Sequence, residues 1–315
     1  MKKVRSEYYP QFPLYIVSKG RYMYMTTSKA LTEMGVKHNI VVEPTEVELY
    51  QKQIDKYNLA CRVVELDLDY KSKYETCDEF GLTKSTGPGP ARNFAHDHSV
   101  KEGHEWHWVM DDNIDGFFRL NNNLKLPCKS PAFWRSMEDF CLRYKNVAMA
   151  GPNYFFFAPR KTKQPAFSTN TRIYSCNLIR NDVPFKWRGR YNEDTIISLD
   201  MLTAGWCTIQ FNAFLQNKLE TQKQKGGNTG EFYHKEGKLE KGKKYADQGT
   251  YLKSKMIVDV YPNLSKLSEK FSRIHHHVDY SPFKVNKLIR IDNYDKIVSK
   301  GINNYGMKLI YLDDK

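Results

Sequence analysis

The sequence predicts an α/β protein built on a single mixed, mostly parallel sheet flanked by helices. Three observations predict it. Short apolar runs alternate with amphipathic stretches from Leu14 to Asn113, the order that produces parallel strands joined by helices. Those runs are rich in β-branched and aromatic residues, which favour strands. One of them, HEWHWVMDDN at 104–113, ends in two carboxylates and an amide, and ligands gather at the carboxyl ends of strands in an open sheet.

Taken in order, Leu14 to Val17 reads as a first strand, opening through Ser18-Lys19-Gly20-Arg21 into a helix that reaches Met34. His38 to Val42 is a second strand ending in Glu43-Pro44, and TEVELYQKQIDKY behind it has helical spacing. Arg62 to Leu66 is the third. The glycines and prolines of GPGPARNFAHDHS, 87–99, impose a rigid turn before a helix from about Pro90, with Arg92 and Asn93 in its first turn. A helix start presents unpaired N–H groups and a positive dipole end, which suits a diphosphate; an ordinary surface arginine is the plainer account. His96 and His98, two apart on a helix, point to different faces. After the central strand, Asp111, Asp112 and Asn113 offer oxygens suited to a hard divalent cation, or form a turn.

An amphipathic stretch spans Pro131 to Tyr144, and Val147 to Ala150 is a strand leading into GPNYFFFAPRKTKQP. There Phe155 and Phe156 beside Arg160 and Lys161 make either buried core or a stacking platform over a basic groove. Thr171 to Ile179 reads as a strand. Asn192-Glu193-Asp194 precede a helix bearing Ile196, Ile197, Leu199 and Leu202, so the acids either cap it or include a general base. WCTIQFNAFL is a further strand, 216–245 a Lys- and Gly-rich mobile loop, and Tyr245 to about Met256 a helix, with Pro262 ending any regular element. RIHHHVDY, 273–280, is a polar turn or the source of one imidazole for a cation. LIRI and MKLIYL add a short strand or two.

At 315 residues and 37.0 kDa the chain forms one large domain or two small ones. Hydrophobic residues at 40% and aromatics at 14% exclude a disordered chain. No apolar run reaches membrane-spanning length and MKKVRSEYYP lacks a signal-peptide stretch, so a soluble intracellular protein without membrane contact is expected. The six cysteines include no CxxC pair and read as buried thiols. A net charge of +13 favours a polyanion such as DNA, or reflects a lysine-rich solvated surface. Neither GxGxxG nor GxxxxGK[ST] is present, so dinucleotide and P-loop sites lack their fingerprints.

The ordered set LYIVSKGR, VVEP, PGPARNFAHDHS, WVMDDNIDGF, YNEDTIISLDML and RIHHHVDYSPF, from 14 to about 284, resembles GT-A type glycosyltransferases. Its arrangement is similar to the TET-associated glycosyltransferases of bacteriophages, which transfer sugars to 5-hydroxymethylcytosine in DNA. The resemblance implies a GT-A-like, Rossmann-type sheet with a C-terminal helical and loop extension. Residues 1–215 would be the catalytic core, with a donor half (1–113) and an acceptor half (114–215), and 246–315 would complete the active site. It implies Ser18, Lys19, Arg21, Glu43, Arg92, Asn93 and Asp111 around the donor. Asp112 and Asn113, with His276 and His277 from the histidine run, would hold a divalent cation, Mn²⁺ or Mg²⁺. Glu193 or Asp194 would deprotonate the acceptor, and Phe155, Phe156, Arg160, Lys161, Trp187 and Arg188 would contact DNA. A UDP-sugar is the implied donor, and the cytoplasm of an infected bacterial host the implied location. Asn113 stands where many such enzymes have a carboxylate, which lowers the expected cation affinity. The competing expectations are a saccharide, lipid or protein acceptor, a nuclease-like or non-enzymatic DNA-binding protein, and a degenerate transferase that only binds.

Overall fold

The computed structural model describes residues 6–121, 123–158, 165–219, 249–270 and 273–294. Strands β1 (Leu14–Val17), β2 (His38–Val42), β3 (Cys61–Glu65) and β4 (Trp106–Asp111) run parallel in the order β3-β2-β1-β4. The connecting helices are α1 (Thr26–Glu33), α2 (Val47–Tyr57), the single-turn α3 (Asp69–Ser72) and α4 (Gly89–Lys101). Next come β5 (Ile114–Asn121), β6 (Leu124–Pro127), α5 (Ala132–Cys141), β7 (Val147–Tyr154), β8 (Phe167–Thr169), β9 (Cys176–Arg180), α6 (Glu193–Thr203) and β10 (Cys207–Lys218). The described C-terminal part is α7 (Gly249–Val260) and a hairpin of β11 (Ser265–Lys270) with β12 (Arg273–Val278).

Among the described residues β1 to β10 form one sheet, ordered β3-β2-β1-β4-β9-β7-β10-β5-β6, with β8 paired to β10. β9 runs antiparallel to both β4 and β7, and β10 runs parallel to β7. β1, β2, β3, β4, β7 and β10 therefore point the same way, and their carboxyl ends open on one edge.

Alternation sorts the side chains onto two covered faces. Leu14, Ile16, Ile40, Trp106, Trp108 and Met110 pack against Leu31 of α1, Tyr50 and Ile54 of α2, and Phe133 and Trp134 of α5. Tyr15, Val17, Val41, Val64 and Val109 pack on the other side against Ala95 of α4 and Ile197 and Met201 of α6. Burying both faces explains why these strands read as unbroken apolar runs. Trp108 meets Trp134 edge to face at 4.9 Å, and its Nε1 donates to Glu138 of α5 at 2.8 Å. Glu138 also accepts the Gln11 backbone N–H at 2.7 Å, so one carboxylate ties α5 to β4 and to the chain entering β1. Burial pushes its pKa up to about 7, against these donors.

Three sequence expectations change. The strand expected from Thr171 begins only at Cys176, because Asn170 and Ser175 adopt left-handed backbone, φ 57 and 56. The histidine run is a strand of the β11–β12 hairpin and not a turn. The helix expected from Tyr245 is described from Gly249 and continues to Val260, past Met256. Of the expected 216–245 loop, Gln216 to Lys218 belong to β10, and 220–245 lie outside the described residues, as does MKLIYL. No helix among the described residues is long and apolar enough to cross a membrane. All six cysteines are free thiols, with Cys141, Cys176 and Cys207 buried.

Candidate active site

The edge where the parallel strands end is hollowed into a cleft of about 760 Å³. Ser18 follows β1, Glu43 follows β2, Asp111 ends β4 and Lys218 ends β10, while α6 presents Glu193 and Asp194 from its first turn. Lys253 of α7 and His275 and His276 of β12 close the far wall. The chain at 111–114 is held by α1: Thr27 Oγ1 donates to the Asp111 carbonyl at 2.8 Å and accepts the Ile114 N–H at 2.9 Å. Thr27 therefore fixes the direction in which the carboxylates project.

Two charge networks meet there. Asp111 accepts from Arg92 at 2.7 Å on one oxygen and from Lys218 at 2.6 Å on the other. Burial opposes its charge, but Lys218 and Arg92 outweigh burial and hold the carboxyl below the usual range. Lys218 also donates to Ser175 Oγ at 2.9 Å, and Ser175 shares a 2.7 Å hydrogen bond with the Tyr154 hydroxyl. Asp112 accepts from Ser18 Oγ at 2.5 Å and from Arg21 at 2.6 Å. Here burial wins over Ser18 and Arg21, so its pKa is raised. Tyr50 joins this network, bonding Ser18 Oγ at 2.7 Å and accepting the Arg21 N–H at 3.1 Å. Glu43 pairs with Lys71 and, at 3.2 Å, with Lys19.

Glu193 and Asp194 differ in how firmly they are held. Asp194 accepts from Arg92, from the Ser175 N–H at 3.3 Å and from Asn177 at 3.4 Å. Glu193 has a 3.5 Å contact with Arg92. Burial raises the Glu193 pKa to about 7; Arg92 opposes the rise, and the neighbouring charges of Asp194 and Asp111 add to it. Such a carboxylate takes up and releases a proton near neutral pH, which suits a general base. Arg92 is 1% exposed and lies 4.4 Å from the Trp187 ring. It sits beneath the cleft as the shared counter-charge of Asp111, Asp194 and Glu193.

The expected divalent-cation site does not fit this arrangement. A hard cation at a phosphate site takes one or two carboxylates together with waters and phosphates, yet both oxygens of Asp111 and both of Asp112 already accept from side chains of this protein, which a cation would have to displace. Asn113 has a buried amide oxygen without a hydrogen-bond partner. However, among the described residues no group of three His, Cys, Asp or Glu side chains converges as a metal site. His276 lines the cleft, and burial, Arg172 and Lys253, in that order, lower its pKa to about 4; the neutral imidazole could ligate, but the two cations beside it oppose a divalent ion there. His277 is exposed and does not line the cleft.

Of the other residues singled out in the sequence, Ser18, Lys19, Arg21 and Glu43 reach the cleft. Asn93 does not: its side chain pairs with the Trp187 backbone, donating at 2.9 Å and accepting at 2.8 Å. Trp187 is 3% exposed, which removes it as a surface contact. Arg188 grips Asp200 at 2.7 and 3.0 Å. These three line a separate cavity of about 990 Å³ with Tyr70 and Tyr261. Phe155 packs on Phe118 at 4.6 Å, whereas Phe156 is 86% exposed and Phe157 reaches the cleft. Arg160 and Lys161 lie outside the described residues. The sequence reading missed Lys218, Ser175, Arg172 and Tyr50. A cation closing the apolar run of β10 was the one available signal, because it mirrors the carboxylates that close β4.

No curated protein matches the chain. Seven chains of solved structures do; among them is the inositol-1-phosphate CTP transferase from T. maritima, at 8% identity and a TM-score of 0.32, covering 67% of this chain and 89% of that one. The family model of the TET-associated glycosyltransferases matches residues 12–227, which runs from just before β1 through β10 and takes in the strand-end residues described above. The chain belongs to the TET-associated glycosyltransferase family.

Proposed function

We propose that the protein transfers a sugar from a nucleoside-diphosphate sugar, with UDP-sugars the first donors to test, to the hydroxymethyl group of 5-hydroxymethylcytosine in DNA. The observation that carries this reading is Glu193, a half-buried carboxylate with its pKa raised to about 7, facing the same cleft as Lys218 and Arg172. A transferase needs both elements at once, a base for the acceptor hydroxyl and positive charge for the departing diphosphate. Glu193 takes the proton as the acceptor oxygen bonds the anomeric carbon. The bond from that carbon to the diphosphate breaks, and its electron pair leaves on a phosphate oxygen.

The other cleft residues support this assignment by their chemistry. Ser18, Lys19, Arg21 and Glu43 provide donors and an acceptor for a ribose and base at the ends of β1 and β2. Asp111 stays ionised, and its charge holds Arg92 and Lys218 in place at the cleft. Phe157 lines the cleft and the exposed Phe156 meets the Phe157 ring at 5.8 Å, giving an unpaired base an aromatic surface, as a base drawn out of its stack requires. Family membership supports sugar transfer in the context of DNA modification, an activity belonging in the cytoplasm of an infected bacterial cell.

The test is incubation of the protein with a panel of UDP-sugars and DNA containing cytosine or 5-hydroxymethylcytosine, with and without Mn²⁺, followed by nucleoside mass spectrometry. The expected result is a sugar-sized mass gain confined to 5-hydroxymethylcytosine. Donor hydrolysis with no gain on either DNA would move the acceptor to a saccharide, lipid or protein.

A further inference from the structure

The wall of the cleft opposite the carboxylate triplet is cationic. Arg172 stacks on Tyr174, its guanidinium 4.3 Å from the ring centroid, and no carboxylate among the described residues pairs with it. Lys253 and His276 stand close enough that Arg172 and Lys253 both act on the His276 imidazole. Lys218 projects from the end of β10 between this wall and Asp111. A half-buried guanidinium without a counter-ion is unfavourable, and an anionic ligand would relieve it. Tyr174 in turn stacks on Tyr154 at 5.2 Å and 21°, so Arg172 sits on a rigid aromatic base. This wall lies where the expected metal site would have placed a histidine ligand, and positive neighbours there repel a divalent cation while attracting a diphosphate.

We propose that the donor's diphosphate is held, and its charge neutralised as it leaves, by Arg172 together with Lys218 and Lys253, with no divalent cation at the Asp111–Asn113 triplet. The inference rests on the nucleoside-diphosphate-sugar reading above. When the anomeric carbon–oxygen bond breaks, the electron pair stays on the phosphate oxygen, and the fixed cations meet that charge without a proton being transferred. A guanidinium offers two parallel donors to a phosphate, and the lysines act as point charges beside it.

Binding of UDP, of the other nucleoside diphosphates and of inorganic pyrophosphate to the full chain, measured by calorimetry in excess EDTA and again in Mn²⁺, tests this. The expected result is binding in EDTA that Mn²⁺ changes by no more than about twofold, and that Arg172→Gln weakens about tenfold or more in both buffers, the equivalent of one charge-assisted hydrogen bond. If that variant does not fold, as judged by its thermal melt, Lys253→Gln gives the same readout. Binding that appears only with Mn²⁺, or that is indifferent to loss of Arg172 or Lys253, overturns this inference and leaves the donor reading standing. Failure of every nucleoside diphosphate and of pyrophosphate to bind in either buffer overturns both.

Discussion

Glu193 and Asp194 are neighbours in sequence with different surroundings, and that difference separates their roles. Asp194 is locked by Arg92, the Ser175 N–H and Asn177, so it orients Arg92 and the start of β9. Glu193 keeps its carboxyl available at the cleft with its pKa near 7. Glu193→Gln removes the base and keeps the shape, so the transfer rate should fall about 10²–10⁴-fold with substrate binding little changed. The sign of the pH dependence follows. Glu193 works as a base only when ionised, so the rate should rise with pH through about 7 and level off above it, and the residual activity of Glu193→Gln should lack that limb. A wild-type rate that is flat from pH 5 to 9 would remove Glu193 from the proton transfer. Sequence could bring these two acids to the start of a helix but could not choose between them, because the choice depends on Arg92, about a hundred residues away, and on how the cleft buries each carboxylate.

At the scale of the elements, the site depends on how closely α4 approaches the chain around Tyr74. Gly89 starts α4, and a Cβ there would overlap the Tyr74 ring, whose hydroxyl donates to the Gly189 carbonyl at 2.9 Å. Gly89→Ala should therefore displace either Tyr74 or the first turn of α4, and with the latter Arg92, three residues on. The expected cost is about 1–3 kcal/mol, as for overpacking of a close-packed site, read as a lower midpoint in urea denaturation together with reduced transfer; an unchanged midpoint would show that the turn has room to spare. The inner parallel strands β1, β2 and β4 were legible because both faces of each are covered, leaving largely apolar runs, and the edge strand β3, exposed at Arg62 and Glu65, was legible through Val63 and Val64. The antiparallel insertion of β9 was not, since strand direction depends on the path of the connection and leaves no mark on composition. The β11–β12 hairpin was hidden for another reason: Ser265 to Lys270 and the histidine run are both polar, so neither shows the apolar alternation that reveals a strand. The surroundings of the triplet belong to this scale too: Arg21 and Lys218 arrive on other elements and bond the oxygens that the sequence offers to a cation.

At the scale of the whole molecule, the excess of 49 basic over 36 acidic residues was plain in the composition, but its placement was not. The cleft mixes both signs closely, with Glu43, Asp111, Asp112, Glu193 and Asp194 set among its lysines and arginines, so much of the net charge lies elsewhere on the chain, where it can meet a polyanion without reading its sequence. If DNA is the acceptor, binding to a short duplex releases counterions, and log affinity should fall linearly with log salt at a slope of about −0.9 per phosphate contacted. Six or more contacts would lower the affinity by about 10³-fold or more between 50 and 200 mM salt, measured by fluorescence anisotropy. Phe156, 86% exposed beside the cleft, adds a term that charge does not. Phe156→Ser should leave the salt slope unchanged, because it removes no charge, while lowering transfer to duplex DNA more than transfer to the free modified nucleoside, which has no stack to leave. Equal losses on the two acceptors would make Phe156 a general wall of the cleft rather than a support for an extruded base, and a salt slope near zero would detach the basic surface from the acceptor altogether.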